Sequence, residues 1–445
     1  MGYLTARPIS PAASILANEI YCLVSATEVR QRKRGKGGAQ DLRRAVEAIL
    51  GDLLVHHPRL IFVPSNNAEF SGMEVAARTF RACLNGLLLA GLVGQRPGFR
   101  SKGQSWTEGD PSGFGPGWAM RLWPSPTLVE MAEAGGVLPD ASQHFHRPPP
   151  PVTRSRSVVQ RERPSGAWKV KGTRMRLPRH DARLERLRDE VMEVNQALAM
   201  ADVHGCDPPI LFRSFTLTYG TDKSPALHGR WYATGSGSYI ALPRKDRQRI
   251  TMGGEPLAEV DVSASFFWAF HGAAERLGIV SATPVAGTDL YAVSGLPRAV
   301  VKRFMTATWG NGKLPGRWPK STRQMLAEED LKLADYPIAK VREGVLGVHP
   351  ILNHLSDVQT AAGLHRFSAK EPHKLCSHWL MGLEATAVTR ALLRLLREDS
   401  VTAMPLHDCL LVPARMADTA VYRLKEAYRE VAGVEPPVKI KGCSA

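Results

Sequence analysis

The stretch Pro297-Arg-Ala-Val-Val-Lys-Arg-Phe-Met-Thr-Ala-Thr-Trp-Gly310 has the spacing of a helix with one cationic face. Arg298 and Lys302 are four residues apart, and side chains at that separation lie on the same side of a helix. Two cations on one face are suited to hold a triphosphate, whose negative charge must be compensated while a phosphoryl group is transferred. Because such pairs are common by chance, the interpretation depends on the sequence on either side.

Two aspartates flank this helix in strand-like, apolar sequence. Asp261 lies in Val-Asp-Val-Ser, and Asp408 lies in Leu-His-Asp-Cys, where two strands are expected to meet in a tight turn at His407-Asp408. A carboxylate in hydrophobic sequence is costly unless a cation or a hydrogen-bond donor compensates it. Each aspartate alone also fits a strand-end cap or a salt-bridge partner. Together, on neighbouring strands, they are what a two-metal site for phosphoryl transfer requires.

The order of these three segments resembles motifs A, B and C of the right-handed polymerases, both the family A DNA polymerases and the phage-type single-subunit RNA polymerases. Upstream, Leu227-His-Gly-Arg-Trp-Tyr232 resembles the Gly-Arg-aromatic element of the phage-type enzymes. The resemblance covers residues 211–432. It implies an α+β palm and fingers domain that extends DNA or RNA 3′ ends from nucleoside triphosphates with Mg²⁺ or Mn²⁺.

The resemblance also implies roles for single residues. Asp261 and Asp408 would hold the two metal ions, and the main-chain carbonyl of Val262 would complete one coordination sphere. Arg298 and Lys302 would contact the triphosphate of the incoming nucleotide. These five residues form the expected catalytic and nucleotide-binding set.

Four further residues are expected around the nucleotide and the primer. Arg230 would contact the template or primer backbone, and His407 would lie near the primer 3′ end. Trp309 would stand near the base and sugar, where relatives usually have Tyr, and its interval from Lys302 is one residue shorter than usual. Phe266 occupies a position where the DNA polymerases have Glu and the RNA polymerases have Gly. A bulky ring there favours dNTPs, whereas the Gly-Arg element favours RNA synthesis, so the choice of sugar stays open.

The charge of the chain also indicates a polyanionic partner. It has 58 Lys and Arg against 42 Asp and Glu, a net charge of +16, which favours binding to nucleic acid or to an anionic membrane surface. The longest apolar runs, such as Gly86–Val93, are far shorter than the ~20 residues of a membrane span. The six cysteines form no CxxC pair, so a reducing, cytoplasmic location without disulfides is expected.

A basic, proline-rich segment is expected to link two domains over residues 141–180. Between Gln143 and His180 it has ten Lys or Arg and one acidic residue, and it includes the run Pro148–Pro151. It is either a solvated spacer or an arm that follows nucleic-acid phosphates without sequence preference. As an arm it would use several cations, among them Arg154, Arg156, Lys169 and Lys171.

The first 140 residues have the order helix, strand, long loop and strand that is typical of a winged helix, although other small α/β modules share it. The expected elements are a helix over Met73–Ala90, a Gly-, Ser- and Pro-rich loop over Arg96–Gly117, a strand over Trp118–Trp123 and a further helix capped by Thr127. We therefore expect an N-terminal winged-helix-like nucleic-acid-binding domain over residues 1–140.

Two hypotheses follow for the chain, expected to be a monomer. In the first, residues 181–445 form a polymerase palm and fingers domain that acts on a DNA or RNA primer-template. In the second, the chain is a non-catalytic DNA-binding initiator or regulator with a degenerate polymerase-like half. Retention of both aspartates together with Arg298 and Lys302 favours the enzyme. A nuclease with the same two-metal chemistry fits the cationic helix between the acids less well.

Overall fold

The structure is a computed structural model, and two compact units are found in it. One comprises Met1–Arg154 and Val159–Ala182, and the other comprises Ser155–Val158 and Arg183–Ala445. The structure describes residues 4–442 apart from 30–33, 64–69, 71–72, 103–113, 148–152, 158–173, 176–180, 219, 223, 234–237, 280–283, 285–287 and 320–321.

Two helices of the first unit begin at serine capping residues. Ser10 accepts a hydrogen bond from the Ala13 amide through its hydroxyl oxygen at 3.1 Å, and Ser125 accepts one from the Leu128 amide at 3.2 Å. Ser125, and not the expected Thr127, therefore caps the fourth helix, because its hydroxyl reaches an amide of the first turn that has no partner within the helix. The helices are α1 Pro11–Ala26, α2 Lys36–His56, α3 Ala77–Leu89, α4 Pro126–Ala134 and α5 Ala141–His144.

A small antiparallel sheet covers the helical core of this unit. The strands are β1 Arg7–Pro8, β2 Ile61–Val63, β3 Val93–Arg96, β4 Phe99–Lys102, β5 Phe114–Trp118, β6 Met120–Pro124 and β7 Phe145–His146. The order in the main sheet is β2-β6-β3, while β4 pairs with β5 and β1 pairs with β7. Met120, Leu122 and Pro124 alternate as buried residues along β6, so only one face of the sheet joins the core.

Part of the segment that was expected to be a linker belongs to this unit. Residues 141–147 include α5 and β7, and Phe145 is buried. Arg147 donates from Nε to the buried Asp52 carboxylate at 2.8 Å, and the Leu4 amide donates to the other oxygen at 2.7 Å. Arg154 and Arg156 lie on β8 (Thr153–Ser157) with undescribed side chains, β9 follows at Arg174–Met175, and Lys169 and Lys171 lie outside the described residues.

The second unit combines a larger set of helices with two groups of strands. Its helices are α6 Ala182–Met200, α7 Arg244–Arg247, α8 Ser265–Arg276, α9 Arg298–Asn311, α10 Thr322–Ala327, α11 Ile338–Val348, α12 Leu355–Ala361, α13 Cys376–Arg397 and α14 Ala417–Ala432. Its 3₁₀ turns are Leu333–Asp335, Pro350–His354, Leu364–Arg366, Pro372–Leu375 and Ala414–Met416.

The strands of this unit are β10 Val203–His204, β11 Leu211–Leu217, β12 Leu227–Ala233, β13 Thr251–Met252, β14 Glu255–Val262, β15 Met404–Leu406, β16 Cys409–Pro413 and β17 Val438–Lys441. The order of one sheet is β10-β13-β14-β16-β15, with β17 also paired to β14, and β11 pairs with β12. Helices and strands are thus mixed, as the α+β prediction requires. No helix within the described residues is both long and apolar enough to cross a bilayer.

The long helix α13 lies against α8, α9, α14 and β12. A glycine allows its close approach to β12: a Cβ at Gly382 would lie 2.2 Å from the carbonyl oxygen of Ala226. Since only glycine fits at this separation, this turn of α13 is held against the residue that precedes β12. This contact positions Glu384, which is central to the site described below.

Candidate active site

Asp261 and Asp408 lie on directly paired antiparallel strands. Asp261 is opposite Cys409 in the β14–β16 pair, and the Val262 amide donates to the carbonyl oxygen of Asp408 at 3.3 Å. His407 and Asp408 form the two-residue connection between Leu406 and Cys409, as the sequence predicted. The two carboxylates therefore come from adjacent strands at one end of the sheet.

Negative charge is concentrated around Asp408. Burial first, and then the charges of Glu384 and Asp261, raise the pKa of Asp408 to about 7. Repulsion among close carboxylates of this kind is relieved by a bound cation. At Asp261 an ammonium group is already present, because Lys441 Nζ bonds to Asp261 Oδ2 and lies 3.9 Å from Glu259 Oε1. The site is thus built to attract positive charge.

A buried polar chain supports this cluster. Arg230 donates to Glu384 Oε1 from Nε at 2.7 Å, and the Ser265 hydroxyl donates to Glu384 Oε2 at 2.6 Å. The hydroxyl groups of Ser265 and Tyr428 lie 2.9 Å apart, and Glu384 is only 1% exposed. Burial raises the pKa of Glu384, while Arg230 opposes that shift. These hydrogen-bonded side chains connect β12, α13, α8 and α14 around the carboxylates.

The cationic face of α9 is present as the sequence predicted. Arg298 and Lys302 are both exposed, whereas Val301 and Met305 are buried. The Arg298 side chain is anchored by Asp289, to which its Nε donates at 2.8 Å, yet it remains 54% exposed. Such an anchored and exposed guanidinium can still donate to a further anion.

Tyr291 connects this face to the carboxylates. The Arg298 guanidinium carbon lies 5.0 Å from the centre of the Tyr291 ring. Burial raises the pKa of Tyr291 to about 12, with Asp408 and Asp289 adding to the shift and Arg298 opposing it. Tyr291 therefore packs against the Arg298 guanidinium and lies close enough to Asp408 for that charge to affect its pKa.

The other predicted residues have different environments. Phe266 is partly exposed, and the Arg230 guanidinium carbon lies 5.5 Å from its ring centre. His407 is exposed at the turn before Asp408. Trp309 is 4% exposed and packs with Phe267 and Phe270 in the core, at ring separations of 5.5 and 5.2 Å. The structure therefore brings Phe266 and His407 to the site, but it places Trp309 behind it.

Strained backbone is concentrated around the candidate site. Among the described residues, six that are not glycine have positive φ, and three of these belong to segments that supply site residues. His228 (φ 70°) is two residues from Arg230, Ala264 (φ 53°) follows Asp261 by three, and His407 (φ 57°) precedes Asp408. Such conformations cost of order 1–3 kcal/mol each and cluster at functional sites.

A magnesium ion fits this donor set. Within the described part of the chain, no three His, Cys, Asp or Glu side chains meet as a metal-binding group. Asp261 and Asp408, which come from paired strands, are the two carboxylates that would hold the ion. Mg²⁺ is commonly held by one or two carboxylates, with water and substrate phosphates completing its octahedron. Burial and the charges of Glu384 and Asp261 raise the pKa of Asp408, and a divalent cation would offset that repulsion.

No protein-family model matches this chain, and no curated protein matches it. Among solved structures, the chain is similar to the POL domain of Pol1 from M. smegmatis, solved in complex with a DNA primer-template and dNTP. The similarity has a TM-score of 0.29 and 14% sequence identity, and it covers 58% of this chain. The matched region spans 50% of the length of that polymerase chain.

Ser265, Tyr428 and Lys441 were not singled out from the sequence, and Glu384 was noted only as part of a long helix before Asp408, without a role. Glu384, Ser265, Tyr428 and Lys441 all contact the acidic cluster or its supporting chain. A glutamate within the apolar pattern of α13 was the one available signal, because a buried carboxylate needs a partner. Lys441 had no local signal, since its partner is 180 residues away.

The core behind the site contains a histidine whose replacement should stabilise the fold. Neither ring nitrogen of His271 has a hydrogen-bond partner among the described residues, and burial lowers its pKa to about 4. Its ring stacks on Phe267 at 5.4 Å. We expect His271→Phe to raise the free energy of unfolding at pH 7.5 by about 1–3 kcal/mol, because two buried polar atoms without partners are removed.

The same substitution should make the free energy of unfolding less dependent on pH under acidic conditions. The folded-state pKa of His271 is below its unfolded value, so the unfolded chain binds the proton first. The free energy of unfolding of the wild type therefore falls as the pH drops from ~6.5 towards 4. Urea unfolding at pH 7.5, 5.5 and 4.5 measures this. The exposed His365→Phe serves as the control and should keep the wild-type profile. Equal acid sensitivity in His271→Phe and the wild type would refute the assignment.

Proposed function

We propose that this protein is a Mg²⁺-dependent nucleotidyltransferase that extends DNA or RNA 3′ ends from nucleoside triphosphates on a nucleic-acid template. One observation carries the proposal: Asp261 and Asp408 lie on paired strands, and the exposed Arg298 packs on Tyr291, whose pKa responds to the charge of Asp408. Carboxylates that bind metal and cations that bind phosphate are the two parts that phosphoryl transfer needs.

In this proposal Asp261 and Asp408 hold Mg²⁺, or Mn²⁺ in its place. When bound, the two ions activate the attacking 3′ hydroxyl and stabilise the leaving oxygen. Glu384 does not reach the reacting atoms: its carboxylate is occupied by Arg230 and Ser265. It acts by holding Arg230 in place and by adding negative charge that favours cation binding at Asp408.

The nucleotide would lie between the acidic cluster and α9. Arg298 is oriented by Asp289 and would donate to the β- or γ-phosphate, and Lys302, one turn further along the same face, would supply a second charge. Phe266, whose ring lies beside Arg230, would crowd a ribose 2′ hydroxyl and would in that case favour dNTPs. Trp309, in the core, would support α9 from behind and would not contact the sugar.

The nucleic acid would be held by both units of the chain. Arg230 and the exposed His407 lie beside the acidic cluster, where a primer end would enter. The first unit, with its helices and β2-β6-β3 sheet, would be the winged-helix-like nucleic-acid-binding domain of this proposal, and the net charge of +16 favours a polyanion. The basic segment 141–180 would contact nucleic-acid phosphates without sequence preference.

One pair of contacts favours a second candidate, a non-catalytic DNA-binding protein. Lys441 bonds to Asp261, and Asp289 bonds to Arg298, so a metal ligand and a phosphate ligand each already have a partner of opposite charge. In an enzyme these partners must give way to Mg²⁺ and to the nucleotide. In a non-catalytic protein they would simply stabilise the fold.

A four-way incorporation assay tests the two candidates. The full-length protein is given labelled dNTPs or NTPs, with a primed or an unprimed template, in Mg²⁺ and again in Mn²⁺. Template-dependent extension under any condition supports the enzyme and shows which sugar it prefers. Absence of product under all conditions, with retained DNA binding, supports the non-catalytic protein.

Replacing Lys302 should affect nucleotide use selectively. We expect Lys302→Ala to raise the KM for the nucleotide by about tenfold, because a charge-assisted contact to phosphate is worth about 1.4 kcal/mol or more. Affinity for the primer-template, measured by fluorescence anisotropy, should change less than twofold. The matched control is Lys340→Ala, which removes an exposed lysine from another helix, α11. Equal effects of both variants on KM would contradict the role of Lys302.

A further inference from the structure

The face of the β2-β6-β3 sheet that is turned away from the core of the first unit has an unusual composition. Phe62, Arg121 and Arg96 lie in one row across the three strands, and Trp123 is opposite Gly94 in the next row of the same face. This face, with His57 and Leu60, borders a pocket of about 370 Å³. We refer to it as the sheet-face pocket.

Two arginines in this pocket carry like charges next to each other. Arg96 and Arg121 are direct cross-strand partners, a position in which like charges destabilise a sheet. Among the described residues, no acidic side chain pairs with either one. The Nε and Nη2 atoms of Arg121 are buried and without hydrogen-bond partners. A guanidinium that is shielded from water in this way needs an anion with oxygen acceptors.

An aromatic surface lies beside the arginines. A Cβ at Gly94 would be 2.2 Å from the indole ring of Trp123, so the ring lies directly against the backbone of β3, which only glycine permits. Trp123 also lines the sheet-face pocket, and Phe62 on the same face is 42% exposed. A rigid indole next to two cations offers a stacking surface within reach of an anion-binding pair.

We propose that the sheet-face pocket binds single-stranded nucleic acid, with a phosphate on Arg96 and Arg121 and the adjoining base stacked on Trp123. Single-strand binding commonly combines cationic contacts to the backbone with aromatic rings under the bases. The aromatic component distinguishes this ligand from a simple inorganic anion or an acidic peptide. Phe62, one strand away, provides a position for a second base.

This site is independent of the catalytic role proposed for the second unit. Its residues are all in the first unit, and its test measures binding and not incorporation. A protein without polymerase activity would still show it, and a polymerase could lack it. The two proposals can therefore fail separately.

The test uses the full-length protein and a fluorescein-labelled 12-residue oligo(dT) in an anisotropy titration at fixed salt. Arg121→Met keeps the aliphatic stem and removes the charge, and we expect it to weaken binding about tenfold. Arg78→Met removes an exposed arginine on α3, away from the residues that line the pocket, and is the matched control, with an expected loss below twofold. Equal losses in both variants would mean that only the general charge matters, and this would overturn the proposal.

Competition experiments show whether the pocket recognises the bases, the phosphates or both. Unlabelled oligo(dT) should compete far better than an abasic strand of equal length, dTMP or inorganic phosphate. Trp123→Ala should remove the difference between the oligo(dT) and the abasic strand, whereas Trp123→Phe should keep most of it. If dTMP competes as well as the strand, the pocket takes a free nucleotide; if the abasic strand competes equally, stacking is refuted.

Two further measurements guard against misfolded variants and other binding surfaces. Because Arg121→Met removes a like-charge pair, its thermal midpoint in phosphate-free buffer should equal or exceed that of the wild type. A strand that contains 5-iododeoxyuridine should photo-crosslink to the peptide that includes Trp123. A crosslink confined to other peptides would place the strand elsewhere and overturn the assignment.

Discussion

Asp408→Asn should reduce nucleotide incorporation by about a thousandfold or more while leaving nucleic-acid binding intact. Metal ions stabilise the transition state of phosphoryl transfer by several kcal/mol, and each 1.4 kcal/mol corresponds to a factor of ten in rate. An amide is a much poorer ligand for Mg²⁺ than a carboxylate, so the substitution removes that stabilisation with almost no change in shape. Primer extension with saturating dNTPs or NTPs measures the effect.

Although Asp408→Asn should lose activity, it should be more stable than the wild type at high pH without metal. Since the folded-state pKa of Asp408 is raised to about 7, the metal-free wild type loses stability as the pH rises from about 4 through 7. Asn carries no charge and escapes this loss. At pH 8 in EDTA, Asp408→Asn should therefore unfold at a higher temperature than the wild type. A residue with only a structural role would lose stability on substitution.

The control for this experiment is Asp418→Asn. Asp418 is exposed in the first turn of α14, the helix that follows β16, so it loses the same charge outside the acidic cluster. Incorporation by this variant should be within twofold of the wild type. Asp408→Asn with more than a tenth of wild-type incorporation would exclude Asp408 as a metal ligand, and the non-catalytic candidate would then be favoured.

The parts of the site that the sequence predicted correctly are set by local pattern. Asp408 is in a hairpin because two short apolar strands flank a two-residue turn, and that arrangement depends only on neighbours in the chain. Arg298 and Lys302 share a face because a helix repeats every 3.6 residues. Pairing of β14 with β16 was inferred from the chemistry of the two acids and is present.

The parts that could not be predicted depend on contacts between distant residues. Arg230 and Glu384 are 154 positions apart, and Lys441 and Asp261 are 180 apart, so no spacing reveals either pair. The burial of Trp309 also depends on a contact with a distant segment and could not be predicted from the sequence. Seven residues from Lys302 is nearly two full turns, so the periodicity would place both on one side of α9, yet Trp309 is buried by the packing of α8. Helical position alone does not determine burial.

Replacing Glu384 should produce the largest loss of stability in the second unit. We expect Glu384→Ala to lower the free energy of unfolding by about 3–5 kcal/mol, because removing one partner of a buried ion pair leaves the other charge uncompensated. Arg230, whose side chain is 18% exposed, would lose its carboxylate, and Ser265 would lose its acceptor. Urea denaturation at pH 7.5 measures the loss, and incorporation should fall because Arg230 is no longer positioned.

Matched substitutions separate burial from the loss of a carboxylate. Glu435 pairs with Arg429 at the surface, where the two side chains are 40% and 62% exposed, so Glu435→Ala should cost less than about 1 kcal/mol. Glu384→Gln keeps an acceptor for Ser265 and should cost about 1–2 kcal/mol, between the two alanine variants. Equal costs for Glu384→Ala and Glu435→Ala would contradict the buried polar chain.

The interaction between Arg230 and Glu384 can be isolated in a double-mutant cycle. Arg230→Ala alone leaves Glu384 buried with Ser265 as its remaining partner, and Glu384→Ala alone leaves Arg230 without a counter-ion. In the double variant neither charge remains, so it should be less destabilised than the sum of the two single variants, by about 1–3 kcal/mol. Additive effects would mean that the two side chains contribute independently. Glu384 would then have no role in positioning Arg230, and the loss of incorporation in Glu384→Ala would reflect unfolding alone.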